Sequence, residues 1–261
     1  MNFNDLSLKL DEISQNSSLL RKVDIISELL SNSHEKDITN IIYILQGKFA
    51  PEYEKIKLGI SNKLILKSLS KVSGIDMGII EKMWADVGDI GQLSYDIIKS
   101  KKQNNLFNDK LMTSELIEQL NKMSKLEGKG STEEKIKILI KLYSKSEANS
   151  VKYITRMCIQ DMRIGAGFGV IRDSISKSFN IEKKIIQSSY DIYPDIANIA
   201  HLIKKNGINF SKNIKMSPGK PIKVMLFQKA KDVESSFEKL GQELSAEYKY
   251  DGFRLQIHRN N

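Results

Sequence analysis

The feature that most constrains the fold is an internal repeat. Residues 59–93 match residues 165–199 without a gap, at a constant offset of 106 positions. The identical pairs in this register are Gly59 and Gly165, Ile65 and Ile171, Ser68 and Ser174, Ser70 and Ser176, Lys71 and Lys177, Ile75 and Ile181, Ile79 and Ile185, Ile80 and Ile186, Asp89 and Asp195, and Ile90 and Ile196. A chance match of two amphipathic helices is the alternative, but a gap-free register across several elements argues against it. We therefore predict two copies of one helical unit, over about 38–100 and 152–206.

Helical periodicity also covers the rest of the first 215 residues. The chain has only four prolines and fifteen glycines, and apolar residues recur at three- and four-residue spacing over residues 6–45. Ser17-Ser18 are candidate N-caps, Gly47 is a natural C-terminal stop, and a capping box at Ser131 is predicted to begin another helix. We predict a mainly α fold, with an internally duplicated multi-helix domain over residues 1–215.

The pattern changes near residue 210, where a second domain is predicted to begin. Residues 217–221 hold two of the four prolines and cannot continue a helix. A short amphipathic segment over 232–240 follows, and then polar and apolar residues alternate on both sides of Asp251-Gly252, a strong hairpin signal. We interpret residues 216–261 as a linker and the truncated N-terminal part of a second domain, with a short β-hairpin. Because a lone hairpin is not a stable unit, we interpret the chain as a fragment.

Charge and cysteine content restrict the classes of partner and site. Lys and Arg number 41 against 32 Asp and Glu, so the formal net charge is +9, and the pI is near 9.3. This excess favours a polyanionic partner, either nucleic acid or an anionic surface. The single cysteine, Cys158, excludes a disulfide framework and a cysteine-based zinc cluster, and the histidines lack metal-ligand spacing, so we predict no metal site. With no apolar run of membrane-spanning length and no signal-peptide pattern, we expect a cytoplasmic chain without a membrane partner.

Each repeat copy carries a basic residue, an apolar residue and a glycine just before a predicted helix. The two segments are Lys57-Leu58-Gly59 and Arg163-Ile164-Gly165, the second followed by Gly167. A glycine loop that leads into a helix leaves backbone N–H groups and the positive end of the helix dipole facing outward, which suits a phosphate. One such loop alone would be interpreted as a plain helix terminus. Two loops related by pseudo-symmetry match two backbone stretches of a duplex.

The most specific motif lies near the C-terminal end. Lys249, Asp251, Gly252 and Arg254 form the pattern Lys-x-Asp-Gly-x-Arg. It resembles the nucleotide-binding motif of ATP-dependent DNA ligases and related nucleotidyltransferases, in which the lysine becomes adenylated. The resemblance implies that Lys249 is the catalytic nucleophile and that Glu247, Lys249 and Arg254 bind the nucleotide. In this family pattern Arg254 would contact the ribose and Glu247 would lie beside the adenine. A single lysine without this context would be interpreted as a solvated side chain.

The resemblance covers essentially the whole chain. Residues 1–215 are similar to the helical DNA-binding domain that precedes the catalytic core in archaeal and eukaryotic ATP-dependent DNA ligases. The matching stretches are 45–51, 57–60, 127–131 and 161–165, and residues 221–226 resemble the segment that leads into the adenylation domain. In the family this domain is an internally duplicated helical fold that grips the minor groove on both sides of a nick. The implied backbone contacts are Gly59, Gly130, Ser131, Arg163, Gly165 and Gly167. Ser61-Asn62 departs from the pattern, because a second loop glycine is expected there.

The resemblance implies an enzyme that seals nicks in duplex DNA through a lysyl-AMP intermediate, in DNA replication, repair and recombination. ATP and Mg²⁺ are implied for the full-length enzyme, and neither is expected to bind tightly to this fragment. The implied partner is nicked duplex DNA, bound without sequence specificity, and a sliding clamp is a further candidate. We expect a monomer. Because the further motifs of the family cannot fit after Arg254, this chain alone should bind DNA without ligating it.

Two other functions fit parts of the sequence. A non-enzymatic helical DNA-binding module would explain the duplicated helices and leave Lys249 incidental. An RNA ligase or a capping-type nucleotidyltransferase would share the lysine motif, but the duplicated helical domain argues against both.

Overall fold

The structure, a computed structural model, describes residues 1–100, 110–224, 229–253 and 255–259. The chain is mainly helical, as the periodicity predicts. The helices are α1 Phe3–Gln15, α2 Leu19–Asn32, α3 Glu35–Leu45, α4 Asn62–Ser73, α5 Met77–Val87, α6 Ile90–Ser100, α7 Thr113–Ser124, α8 Ser131–Ser144, α9 Ala148–Cys158, α10 Phe168–Phe179, α11 Lys183–Ile192, α12 Ile196–Asn206 and α13 Val233–Leu240, with 3-10 turns at Glu52–Glu54 and Gly207–Asn213. None of these helices has the length and apolar composition needed to cross a membrane.

The two repeat copies fold into the same three helices in the same register. The first copy is α4, α5 and α6, the second is α10, α11 and α12, and the bounds of α4 and α10 differ by 106 positions at both ends. Backbone conformation repeats as well, since Gly59 and Gly165 have φ angles of 61° and 63°. At the C-terminal ends of α4 and α10, Gly74 and Asn180 are both left-handed, at 75° and 52°. The sequence repeat is therefore a repeated three-helix unit.

The helix pair that precedes each copy packs against the other copy. Helix α2 lies along α10 and α3 along α12, whereas α8 lies along α4 and α9 along α6. The apolar stripes of these four helices are buried in the contacts, as the full burial of Ile26, Ile38, Leu139 and Ile154 shows. Because the halves exchange helix pairs, they share one hydrophobic core, and neither half can pack without the other.

Helix ends follow the predicted signals at two places and depart from them at a third. Ser18 caps α2 by accepting a hydrogen bond from an amide in the first turn, and Gly47 follows the end of α3 with a φ of 66°. The capping box predicted at Ser131 is wrong, because Ser131 is already helical and Gly130 occupies the N-cap position. Gly128 and Gly130, at φ 78° and 88°, turn the chain directly into α8, which leaves no extended position for a capping serine.

The amphipathic segment over 232–240 contains a short helix, but the described residues of the C-terminal segment do not confirm the predicted β-hairpin. Helix α13 begins after Asp232, whose side chain caps it. On either side of Asp251-Gly252 the described residues form no strand, and the Tyr248 and Phe253 side chains are 87% and 100% exposed. A hairpin needs a third strand or a packing layer for stability, and no described element covers these side chains.

The described residues near 222 and 256 contact each other through the side chains of Gln256 and His258 instead of a strand ladder, and the His258 Nδ1 accepts from the Gly219 amide at 3.2 Å. The Gln256 side-chain amide donates to the Ile222 carbonyl oxygen at 2.8 Å and accepts from the Ile222 amide at 2.9 Å. Arg254 and residues 225–228, which include part of the stretch resembling the start of the adenylation domain, lie outside the described residues.

Candidate nucleic-acid interface

The two glycine loops are exposed at the surface, directly before α4 and α10. Leu58 and Ile164 are buried, whereas Gly59 and Gly165 beside them are exposed and have positive φ angles. This conformation favours glycine. It directs each loop toward solvent immediately after the buried Leu58 or Ile164. Both loops are open to solvent, and each leads into a helix N-terminus, where backbone N–H groups lack helical partners.

The two loops differ in how the following helix is capped. In the first copy, the Ser61 hydroxyl caps α4 by accepting from the Leu64 amide at 3.4 Å. In the second copy, Gly167 holds the N-cap position of α10 and has no side chain to satisfy the first-turn amides. The α10 N-terminus is therefore the more open anion site, and the difference falls at Ser61-Asn62, where the sequence departs from the family pattern.

The segments that lead to the two loops meet in one groove. Gly47 precedes the first loop and Met162 the second, and a Cβ built on Gly47 would lie 2.8 Å from the Met162 Cγ. Lys55 and Lys57 from the first segment and Gln160 from the second line the same groove, which has a volume of about 420 Å³. The fold therefore brings the two segments together on one side of the molecule.

Three non-glycine residues in these segments have a left-handed backbone. The φ angles of Lys55, Gln160 and Arg163 are 52°, 56° and 52°. Outside glycine this conformation costs of order 1 kcal/mol or more, and strained positions cluster at functional sites. Two of these residues, Lys55 and Arg163, are basic and exposed beside the loops.

Arg163, the charged member of the predicted contact set, is positioned by two carboxylates. Its Nε donates to Asp161 Oδ2 at 2.8 Å, and its Nη1 lies 3.2 Å from Asp89 Oδ2. The Arg163 side chain nevertheless remains 48% exposed. The guanidinium is therefore fixed in direction and still accessible to a phosphate from solvent.

Asp89 connects the second loop to the first repeat copy. Its Oδ1 caps α6 by accepting from the Gly91 and Gln92 amides, and its Oδ2 accepts from the buried Arg156 at 2.8 Å. Burial alone would raise the pKa of Asp89, but the hydrogen bond and charge of Arg156, together with the Gln92 amide and the charge of Arg163, hold that pKa below its usual value. Asp89 therefore stays ionised and anchors both Arg156 and Arg163.

The equivalent carboxylate of the second copy, Asp195, has a neutral partner. The Tyr43 hydroxyl donates to Asp195 Oδ2 at 3.0 Å, and the Asn198 amide donates to Oδ1 at 3.1 Å. Burial raises the pKa of Asp195. Of the two equivalent aspartates, the one that pairs with arginine side chains therefore lies beside the second loop, which carries Arg163.

Gly130 and Ser131 lie on the helix that supports the first loop. Helix α8 packs along α4, and one turn after Ser131 the Lys135 ammonium donates to the Leu58 carbonyl oxygen at 2.8 Å. Gly130 is exposed and Ser131 is half-buried. The fold thus brings Gly130 and Ser131 to the neighbourhood of Gly59, although the segments are far apart in sequence.

Two buried lysines at the loops are candidates that the sequence patterns did not indicate. Lys135 reaches the first loop, and Lys22 of α2 reaches the second, where its ammonium donates to the Ile164 carbonyl oxygen at 2.6 Å. Each lysine lies in line with buried apolar residues three, four and seven positions further on: Ile25, Ile26 and Leu29 after Lys22, and Ile138, Leu139 and Leu142 after Lys135. A lysine in line with an apolar stripe is the signal that could have identified both.

The nucleotide motif does not form a pocket in the described residues. Glu247 and Lys249 are exposed on a segment without strands, and Arg254 lies outside the described residues. A groove of about 430 Å³ at this end of the chain is lined by residues from 216–222 and 256–259, not by the motif. The described side chains therefore do not form a site that fits ATP, and the described ranges contain no cluster of metal-ligating side chains.

Comparisons with known proteins match both parts of the chain to DNA ligases. The family model described as "DNA ligase N terminus" matches residues 2–176. The one described as "ATP dependent DNA ligase domain" matches residues 224–261, which include the lysine motif.

Curated relatives match almost the whole chain. A protein named DNA ligase from Methanosphaera stadtmanae is 37% identical over 96% of this chain and 45% of its own length. Proteins of the same name from Sulfolobus acidocaldarius and Thermoplasma volcanium are 33% and 31% identical, over 99% of this chain and 45% and 44% of their own lengths. The chain thus spans somewhat less than half the length of these relatives.

Proposed function

The chain belongs to the family of ATP-dependent DNA ligases, and on this premise we propose that it binds nicked duplex DNA through its two glycine loops. The observation that carries the proposal is the pair of exposed loops at Gly59 and Gly165, which the repeat relates and which precede helix N-termini. Each loop would seat one stretch of sugar-phosphate backbone on its amides. In this proposal residues 1–215 are the DNA-binding domain, and residues 216–261 are the linker and the start of the adenylation domain.

The other proposed contacts extend the two loops. Gly130 and Ser131, at the N-terminus of α8, add amides beside the first loop, and Arg163 and Gly167 add a charge and an uncapped helix start at the second. These contacts go to phosphate and sugar, which position a protein on DNA without reading its sequence. Binding is therefore independent of base sequence in this proposal.

In a protein that contains the whole adenylation domain, Lys249 is the proposed site of the lysyl-AMP intermediate. Its uncharged amine attacks the α-phosphate of ATP and pyrophosphate leaves, with Mg²⁺ as the associated metal ion. The AMP then passes to the 5′-phosphate of the nick, and the 3′-hydroxyl displaces it to seal the strand. Glu247 and Arg254 are the proposed adenine and ribose contacts. The support is the motif itself and its position inside the region that matches the ATP-dependent domain.

The proposed DNA-binding form is a monomer. A duplex has two backbone strands, and the repeat supplies two related loops within one chain. The exchanged helix pairs give the single chain the internal symmetry that other proteins obtain by dimerising.

Salt dependence of binding to a labelled nicked duplex tests the proposed function. If the loops and their basic residues neutralise about four phosphates, the slope of log affinity against log salt is about −3.6, and affinity falls roughly 150-fold between about 50 and 200 mM KCl. Fluorescence anisotropy measures the dissociation constant at each salt concentration. Affinity that does not change with salt would contradict the proposal.

Three further duplexes distinguish the alternatives. A nicked DNA of unrelated sequence should bind like the first, and an intact DNA duplex should show the same salt slope, because phosphates dominate the contact. A nicked RNA duplex should bind more weakly. A clear preference for the RNA would favour the RNA-ligase alternative over a DNA ligase.

A further inference from the structure

Two buried ammonium groups lack an acidic partner. Lys22 and Lys135 are only 6% and 8% exposed. In the part of the chain that the structure describes, neither forms a salt bridge, and each donates one hydrogen bond, to the carbonyl oxygen of Ile164 or Leu58. Buried charges in proteins are normally paired with an opposite charge, because removing an ammonium from water is costly. No described carboxylate therefore neutralises either ammonium.

Each ammonium lies directly behind the exposed glycine of a loop. A Cβ built on Gly59 would lie 2.9 Å from the Lys135 Nζ, and a Cβ on Gly165 would overlap the Lys22 Nζ. A side chain at either position would have to displace the ammonium from this place, and the positive φ angles of Gly59 and Gly165 also favour glycine. The ammonium has three donors, and since one is used by the loop carbonyl, two remain for an incoming group.

We propose that Lys22 and Lys135 are phosphate-binding residues, each forming the cationic floor of one glycine loop. One backbone phosphate of the DNA would sit on each loop, held by the loop amides from the front and by the lysine from behind. The inference rests on the proposed function and deepens it, because it names two DNA-contacting residues that no sequence motif indicates.

The exchanged packing explains why each site needs both halves of the molecule. Lys22 belongs to α2, which precedes the first copy but packs against α10 of the second, and Lys135 belongs to α8, which precedes the second copy but packs against α4 of the first. Each proposed phosphate site is therefore completed by a lysine from the other half of the chain. The same arrangement at both loops argues against a chance burial of either lysine.

The competing explanation is that the lysines only hold the loop carbonyls in place. Both roles predict weaker DNA binding when the lysine is removed. Only a phosphate contact also changes the number of counterions released, and hence the salt slope. Salt slope is therefore the readout that a purely structural role would not move.

The test uses the chain with Lys22→Met, Lys135→Met and both changes, titrated with the labelled nicked DNA duplex over a range of KCl concentrations. Methionine keeps the length and apolar stem of lysine and removes its charge. We expect affinity to fall about tenfold for each change at low salt. We expect the slope to become shallower by about 0.9 for each change and by about 1.8 for the double variant.

Lys177→Met is the matched control. Lys177 is also a helical lysine, but it lies in the last turn of α10, away from the loop, and its exposed ammonium pairs with Asp24 at 2.6 Å. It should leave the salt slope unchanged. Thermal unfolding checks that each variant is folded at the assay temperature, and Lys22→Gln and Lys135→Gln replace any methionine variant that is not.

The outcomes separate the inference from the proposed function. If the variants bind more weakly with an unchanged slope, or if Lys177→Met changes the slope equally, Lys22 and Lys135 are not phosphate contacts. If the unaltered chain fails to bind the nicked duplex at low salt, the proposed function itself is wrong. Shallower slopes for Lys22→Met and Lys135→Met alone support the inference.

Discussion

Replacing Lys249 by alanine, in a protein that includes the complete adenylation domain, is expected to abolish covalent labelling by ATP. The lysine amine is the proposed nucleophile for AMP, and no other group in the motif can form the same bond. Lys249→Arg should be equally inactive, because a guanidinium stays protonated and cannot attack phosphorus. Labelled AMP that remains on the protein after denaturing electrophoresis measures the effect.

Lys239→Ala is the control for this experiment. Lys239 is an exposed lysine of α13, close to the motif in sequence but outside it, and its loss should leave labelling intact. Binding of nicked DNA should also be unaffected by Lys249→Ala, since the proposed contacts lie in residues 1–215. Undiminished labelling of Lys249→Ala would refute the assignment of the nucleophile.

Replacing Asp89 by alanine is expected to lower the free energy of unfolding by about 3 to 5 kcal/mol. The change removes the cap of α6 and leaves the guanidinium of Arg156, which is 7% exposed, without its carboxylate. The Nε of Arg156 already has no hydrogen-bond partner among the described residues. The Met162 carbonyl oxygen accepts from Nη1 at 3.4 Å but carries no charge to replace the carboxylate. Urea unfolding followed by circular dichroism measures the loss.

Asp76→Ala separates the lost cap from the lost ion pair. Asp76 caps α5 by accepting from the Gly78 amide at 2.8 Å, but it is exposed and forms no salt bridge within the described residues. Its replacement should cost about 1 kcal/mol, the usual value of a cap. If Asp76→Ala and Asp89→Ala lower the free energy of unfolding equally, the ion pair between Asp89 and Arg156 contributes nothing to stability.

The Asp89 effect should also depend on pH. Although burial acts to raise its pKa, Arg156 lowers it, so the net shift in the folded protein is downward. A carboxylate with a lowered pKa stabilises the fold above its unfolded pKa, and this stabilisation is lost as pH falls through the folded value. The difference between the unaltered chain and Asp89→Ala should be complete at pH 7 and should shrink below about pH 4.

The helices and their register could be predicted from sequence because their signals are local. Apolar spacing located the helices, and the offset between Gly59 and Gly165 related the two copies without any knowledge of packing. The same local reasoning failed at Ser131, where two left-handed glycines moved the helix start by one position. Capping patterns rest on side-chain types, whereas the first residue of this helix is determined by the backbone conformation of the two glycines.

The exchanged packing could not be predicted, because it depends on contacts between distant parts of the chain. The Lys22 contact to Ile164 and the Lys135 contact to Leu58 each join different halves. Amphipathic stripes show which face of a helix is buried but not which partner buries it. The apolar stripes could indicate that Lys22 and Lys135 are buried, but the loop that each lysine contacts became visible only once the helix partners were known.

The hairpin prediction is not confirmed, and the reason again lies outside the local pattern. The alternation around Lys249 is a strong local pattern, but a strand is stable only when other strands or a packing layer cover it. The described residues around the motif are exposed and form no ladder. The motif is the basis of the proposed chemistry, although its described residues do not form a nucleotide pocket.

The most direct test of the claim that both glycine loops seat the DNA backbone is an amide spectrum of the chain labelled with ¹⁵N only at glycine. The chain has fifteen glycines, so the spectrum is sparse, and the helix-terminating Gly74 and Gly207 serve as internal controls. On titration with nicked duplex DNA, we predict that Gly59, Gly165 and Gly167 shift together while the two controls stay in place. Shifts at only one loop, or at neither, would contradict the claim.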